Sequence, residues 1–207
     1  MKHALIIGAT GGIGTALAKK MNGSYDLTLV GRDTQKLSAL RDYGTVIPTD
    51  VASELEVQAL FEEVAPVDVL IYAAGDIQPE LLKMVDQQAY YRVIDANLTG
   101  LILTLKYAEP KFNEARVFVL GARPDLITYR GFAVYAAAKA GVKAVLDIAA
   151  VEMKRKASFT LVLPKAVDTD FWKNVGTAPK DALSPDEVAE AIVESLKGEP
   201  EETLKVG

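Results

Sequence analysis

The chain alternates between short apolar runs and longer stretches in which apolar residues recur every three or four positions. Runs of the first kind occupy residues 3–7, Asp26–Val30, Thr45–Pro48, Val67–Tyr72, Arg116–Leu120 and Phe159–Leu163. Their length and β-branched content predict strands. The stretches near 12–22, 34–42, 53–64, 86–112, 132–155 and 185–197 predict helices. Leu5-Ile6-Ile7 and Val117-Phe118-Val119-Leu120 lack a polar alternation, as expected of strands covered by helices on both faces. Strand–helix alternation of this kind predicts an α/β protein built on a doubly wound parallel sheet. Ser184-Pro185-Asp186-Glu187 predicts a helix start, with serine as N-cap, proline at N1 and glutamate closing a capping box. There is no repeat, low-complexity tract or linker, so residues 1–207 are expected to form one domain, with Glu199–Gly207 adding an edge strand.

Composition narrows the function classes. Half of the 207 residues are hydrophobic, enough for one sizeable core. A net charge of -5 argues against binding nucleic acid or anionic membrane, which both need a basic face. With no cysteine and a single histidine, thiolate and histidine metal sites are excluded and no metal is expected. His3, at the start of the first strand, is read as structural or solvent-facing. The apolar run after Met1 stops at Gly8, too short for a signal peptide, and no run reaches the roughly 18 apolar residues of a membrane span. A soluble cytoplasmic protein is expected.

Chemistry enters with Gly8-Ala9-Thr10-Gly11-Gly12-Ile13-Gly14, between the first strand and the first helix. Glycines there let the backbone turn sharply and approach a pyrophosphate, while the helix N-terminus presents unpaired N–H groups. The last glycine lets the helix lie close on the sheet. Such a turn also serves as plain loop, but a strand before it and an amphipathic helix after it make dinucleotide binding the stronger reading, and the fold a single-domain Rossmann fold.

In its spacing, Gly8-x-x-x-Gly12-x-Gly14 resembles the fingerprint of the short-chain dehydrogenase/reductase family. The likeness recurs in order along almost the whole chain. Asp50-Val51 resembles the pair that contacts adenine, and Ala73-Ala74-Gly75 the family's Asn-Asn-Ala-Gly segment without its asparagines. Asn97 matches the helix asparagine that holds a water in a proton relay. Tyr135-x-x-x-Lys139 matches the catalytic pair. Pro164-Lys165-Ala166-Val167-Asp168-Thr169 resembles the proline-led segment after the sixth strand. The resemblance implies a nicotinamide cofactor held by Gly8, Thr10, Gly11, Gly12, Ile13, Gly14, Arg32, Asp50, Val51, Ala73, Ala74, Gly75, Tyr135, Lys139, Pro164, Val167 and Thr169. It also implies catalysis by Tyr135, Lys139 and Asn97 on a small carbonyl or alcohol.

The second strand runs into Gly31-Arg32-Asp33. A site for NAD would place a carboxylate at the strand end to accept bonds from the ribose 2′-hydroxyl, and Gly31 stands there instead. Arg32 can pair with a 2′-phosphate, and Asp33 suits the N-cap of the next helix. NADP(H) is therefore expected over NAD(H), although Arg32 also reads as a solvated surface charge.

Tyr135 and Lys139, four apart on a predicted helix, share a face. A phenol near pKa 10 is a poor acid–base catalyst, and a neighbouring ammonium is expected to lower it. The family's serine, roughly thirteen residues before the tyrosine, falls on Ala122, and no serine occurs between Ser53 and Ser158. Thr128 and Tyr129 are the nearest hydroxyls. A lost oriented donor typically costs about 3 kcal/mol of transition-state stabilisation without touching cofactor binding. Two functions stay open: an oxidoreductase, or an NADP(H)-binding regulator with little turnover. Phe171 and Trp172 fall where the family carries a substrate lid, and the long helices at 86–112 and 132–155 suit a homodimer.

Overall fold

The computed structural model describes residues 1–207. Seven strands, all parallel, form one sheet in the order β3-β2-β1-β4-β5-β6-β7. They are β1 (His3–Ile7), β2 (Asp26–Gly31), β3 (Thr45–Pro48), β4 (Val67–Tyr72), β5 (Phe112–Leu120), β6 (Ala157–Pro164) and β7 (Thr203–Val206). The helices are α1 (Gly12–Met21), α2 (Thr34–Ser38), α3 (Glu54–Glu63), α4 (Gln87–Ile94), α5 (Gly100–Ala108), α6 (Pro124–Ile127), α7 (Ala133–Glu152) and α8 (Pro185–Ser195). No helix is long and apolar enough to cross a membrane.

Alternate residues of each central strand feed two cores. Leu5, Ile7, Leu70, Val117 and Val119 pack on one face under Leu60 and Phe61 of α3, Leu105 of α5 and Val142 of α7. Ala4, Ile6, Val69, Ile71 and Phe118 pack on the other under Leu17 of α1 and Val188 and Ile192 of α8. Both faces being apolar explains why these strands read as continuous hydrophobic runs. The chain reverses winding direction between β1 and β4, which opens a crevice at their C-terminal ends.

The elements match the pattern along the sequence, with two instructive differences. The stretch at 86–112 is not one helix. It breaks at Asp95–Thr99 into a wider, π-type turn, and a short 3-10 turn (Glu109–Lys111) leads into β5 at Phe112, four residues earlier than apolarity suggests. The early residues of β5 alternate exposed Asn113 and Glu114 with buried Ala115, so their polarity hides them. The other difference is α2, which ends at Ser38 because Ala39–Gly44 forms tight turns.

Several local readings hold. Asp33 caps α2, accepting from the Gln35 and Lys36 amides at 3.1 and 3.0 Å. Ser184 and Glu187 form the reciprocal capping box of α8. Edge strand β7 pairs with β6. His3 is buried and structural, its ring bridging the Pro66 carbonyl and the Thr28 hydroxyl at 3.0 and 2.9 Å.

Candidate active site

The crevice between β1 and β4 holds a groove of about 750 Å³. Ten of the residues expected at the cofactor line it: Gly8, Thr10, Gly11, Gly12, Arg32, Asp50, Val51, Ala73, Ala74 and Gly75. The turn is built for close approach. Gly8 has φ +85°, and a Cβ on it would stand 2.5 Å from the Ala74 amide nitrogen. A Cβ on Gly14 would stand 2.2 Å from the Gly8 carbonyl oxygen, so α1 can begin here only with glycine. Gly14 thus shapes the cradle from beneath, while Ile13 packs into the core under α1. Asp50 accepts the Ala52 amide at 3.1 Å, and buried Val51 lies against Gly100 at the start of α5.

A second set of residues meets the inner end of the groove through Gly75. A Cβ at that glycine would lie 2.8 Å from Asn97 Oδ1 and 3.7 Å from Lys139 Nζ. Asn97 is 1% exposed. Its Nδ2 donates to the Asp76 and Val93 carbonyls at 2.7 and 2.8 Å, while its Oδ1 is buried without a partner. The π-type turn brings this side chain inward, and the Tyr72 hydroxyl donates to the Ala96 carbonyl within it at 2.9 Å. Lys139 is likewise buried, donating to the Leu120 carbonyl at 2.8 Å, which leaves two of its three N–H groups for other acceptors. Burial alone pulls its ammonium down to about 8.

Tyr135 lies one turn before Lys139 on α7, with Lys139 Nζ 5.7 Å from its ring centroid. The expected lowering of its phenol is absent: burial disfavours phenolate and pushes the pKa well above its usual value, and no charge offsets that. Burial thus favours the protonated phenol at Tyr135.

Residues 2–180 match the family described as short chain dehydrogenase. The chain belongs to that family. An uncharacterized oxidoreductase of Staphylococcus haemolyticus is 28% identical, over 93% of this chain and 90% of its own. The crystal structure of a putative short-chain oxidoreductase from Thermus thermophilus superposes with a TM-score of 0.88 at 38% identity, covering 95% of this chain and 96% of that one. A short-chain dehydrogenase from Sphingobium yanoikuyae, solved in complex with NADPH, superposes with a TM-score of 0.87 at 24% identity over 99% of this chain and 87% of its own.

Residues 164–169, from the end of β6 onward, flank the groove rather than line it. Pro164 ends β6, and Val167 pairs with Leu183. Thr169 sits where a Cβ on Gly12 would meet its methyl at 2.6 Å, so it reaches the glycine turn. Ala122 lies among the apolar residues packed around Tyr135. Thr128 does not take the serine's place here, because it donates its hydroxyl to the Pro124 carbonyl at 2.8 Å. Tyr129 is mostly exposed, with its ring 6.0 Å from Phe132.

The groove also contains residues that the sequence pattern does not single out. Lys36, four positions after Arg32, lines it together with Asp170, and the two pair at 3.6 Å. Spacing from Arg32 into the first turn of α2 was the available signal. Arg92 and Asp76, joined through two bonds of 2.5 and 3.2 Å, tie α4 to the loop whose carbonyl holds Asn97. Nothing in their separation of sixteen residues marks them as partners.

Proposed function

We propose that the protein is an NADP(H)-dependent oxidoreductase acting on a small carbonyl or alcohol, with Tyr135, Lys139 and Asn97 as its reaction centre. The observation that carries this reading is the join at Gly75, where a groove of dinucleotide size ends against a buried lysine and an unpartnered asparagine oxygen. A buried acceptor left unpaired costs about 1–3 kcal/mol, and a ribose hydroxyl or relay water would relieve it. When bound, the reduced nicotinamide supplies a hydride. Tyr135, kept protonated by burial, donates a proton to the substrate oxygen in the reducing direction. Lys139 offers its two remaining N–H groups to ribose hydroxyls, and Asn97 Oδ1 anchors the relay.

Support for NADP(H) over NAD(H) lies at the outer end of the groove. Arg32 and Lys36 both line it, no carboxylate occupies Gly31, and the Asp33 carboxylate is engaged as a helix cap. Neighbours of the same fold are solved with NADPH and with NADH, so the preference rests on Arg32 and Lys36. We place the protein in the cytoplasm, as a single domain. Exposed Ile102 on α5 and Ile148 and Val151 on α7 suit a homodimer.

The test is NADPH oxidation, followed by absorbance over a panel of ketones, aldehydes and diketones, with Tyr135→Phe as control. Turnover that disappears with Tyr135→Phe supports the enzyme. Tight NADPH binding without turnover of any member would return the reading to a regulator.

A further inference from the structure

Two segments meet at Asn97. Its side-chain amide donates to the Asp76 carbonyl at 2.7 Å and to the Val93 carbonyl at 2.8 Å. The first carbonyl belongs to the loop after β4 and the second to α4. Carbonyl oxygens can only accept, so this pair selects the NH2 end of the amide and turns Oδ1 toward Gly75. A reversed amide would set its oxygen against two others. The direction of Oδ1 therefore depends on both carbonyls being within reach at once.

The same two segments are joined a second time. Arg92, next to Val93 on α4, donates Nε and Nη2 to the Asp76 carboxylate at 2.5 and 3.2 Å. That carboxylate is itself oriented, because its Oδ1 also accepts the Ile77 amide at 2.8 Å. Asp76 thus meets α4 through its side chain and Asn97 through its carbonyl, while residues 92 and 93 supply the matching contacts from the helix. Ile77 and Val93, both 1% exposed, share a cluster with Tyr135. Apolar packing of this kind presses the loop against α4 without fixing its rotation, whereas a planar fork on a carboxylate does fix it. The Arg92 side chain is 50% exposed and that of Asp76 15%, so the pair contributes little to folding. Its consequence lies in geometry.

A direct role for Arg92 has to be told apart from this one. Arg92 lines the cofactor groove, and the bonds to Asp76 leave its Nη1 for other acceptors. Contact with a bound cofactor would register in cofactor affinity, whereas an effect through Asn97 registers in turnover.

We propose that the Asp76–Arg92 pair is a positioning device for Asn97. It holds the loop after Gly75 and α4 at the spacing that one side-chain amide spans, and so aims Oδ1 at the reaction centre. Asp76 and Arg92 are positioning residues that act through Asn97. This inference rests on the reductase reading above, in which Asn97 Oδ1 anchors the proton relay.

Two variants test it: Arg92→Met removes both bonds and keeps an unbranched stem, and Arg92→Lys keeps the charge without the fork. One readout needs no substrate. In nitrogen-15-labelled protein, the Asn97 side-chain amide is assigned by its disappearance in Asn97→Asp. Its protons should exchange with solvent about tenfold faster in Arg92→Met than in wild type, with Arg92→Lys between them and the backbone amides of β1 and β4 unchanged. Wild-type exchange at Asn97 in Arg92→Met overturns the proposal. Where Arg92→Met loosens β1 and β4 as well, Arg92→Lys decides: faster exchange at Asn97 alone supports the pair, and wild-type exchange there overturns it. The other readout is turnover of a carbonyl that wild type reduces. In Arg92→Met kcat should fall about tenfold, with partial recovery in Arg92→Lys, while the NADPH dissociation constant stays within about twofold of wild type. NADPH affinity that weakens as much as kcat, or instead of it, overturns the proposal and makes Arg92 a cofactor contact. Faster Asn97 exchange with kcat unchanged overturns the link to catalysis. If wild type reduces no carbonyl, the reductase reading falls, and amide exchange still decides whether Asp76 and Arg92 hold Asn97.

Discussion

The two ends of the crevice proposed as the active site, one for cofactor and one for substrate, are built by different means. The cofactor end is mostly backbone: a glycine turn with φ +85° at Gly8, a helix that starts against the Gly8 carbonyl, and small residues Ala73 and Ala74 at the end of β4. The substrate end is mostly side chains, namely Tyr135, Phe132, Phe171, Ile77 and Val93. A backbone cradle tolerates any side chain that stays out of its way, and so it survives the loss of the family's two asparagines. A side-chain site depends on each donor, so on the proposed reading Ala122 in place of a hydroxyl bears on turnover and not on cofactor binding. Cofactor binding and turnover should therefore separate under mutation.

The sharpest break in that comparison is Tyr135→Phe. It removes one hydroxyl from the substrate end and leaves the groove intact. Turnover should fall by roughly 10²–10⁴-fold, the range for a positioned acid, with NADPH affinity in fluorescence titration changing little. A comparable loss in both would mean that the two ends are not independent.

Lys139 stands where the ends meet and gives a pH signature. Burial takes its pKa from 10.5 to about 8. Between those values the unfolded chain holds a proton that the folded chain lacks, so stability rises with pH across the window. The contribution is level below pH 8, where both forms are charged. A drop from 10.5 to about 8 is worth about 3 kcal/mol. Urea melts of wild type and Lys139→Met from about pH 8 to 10.5 should show wild type gaining up to that amount on the variant. A constant difference would mean that Lys139 remains charged in the folded state.

At the outer end of the groove, Arg32→Ala should weaken NADPH by about 10–100-fold, the worth of one charge-assisted pair, and NADH far less. Equal losses in paired titrations would remove Arg32 as the reader of a 2′-phosphate.

The same division explains what is legible in the chain without its fold. The sheet is legible because strands buried on both faces must be apolar throughout, and the glycine turn because its geometry admits no other residue at Gly8 and Gly14. The Tyr135–Lys139 pair is legible from helical spacing, but its electrostatics are not. Spacing suggests an ammonium that lowers the phenol, whereas the packed site buries both groups, and desolvation dominates. The break at Asp95–Thr99 is hidden because Asp95, Asn97 and Thr99, though weak helix formers, also occur inside ordinary helices. Only the burial of Asn97, and the Tyr72 hydroxyl on the Ala96 carbonyl, reveal its purpose. Phe171 over Tyr135 joins residues thirty-six positions apart, and no local pattern records that contact.

The smallest expected effect is a gain. Ala122→Ser places a hydroxyl where the family expects its second donor, beside the hydrophobic cluster that holds Tyr135. A native donor of this kind is worth about 10²–10³ in rate, but the new one has no neighbours arranged to aim it, so an increase of about tenfold is expected. The increase should be larger for acetophenone than for 1-phenyl-1,2-propanedione, because an activated carbonyl already supplies part of what the hydroxyl adds. Steady-state kcat/KM for the two ketones, in wild type and variant, checks this directly. If both rise by the same factor, the hydroxyl acts by fixing substrate geometry, and Ala122 says nothing about how reactive the carbonyl must be. If neither rises, the substrate oxygen lies out of reach of residue 122, and the missing hydroxyl there does not bear on turnover.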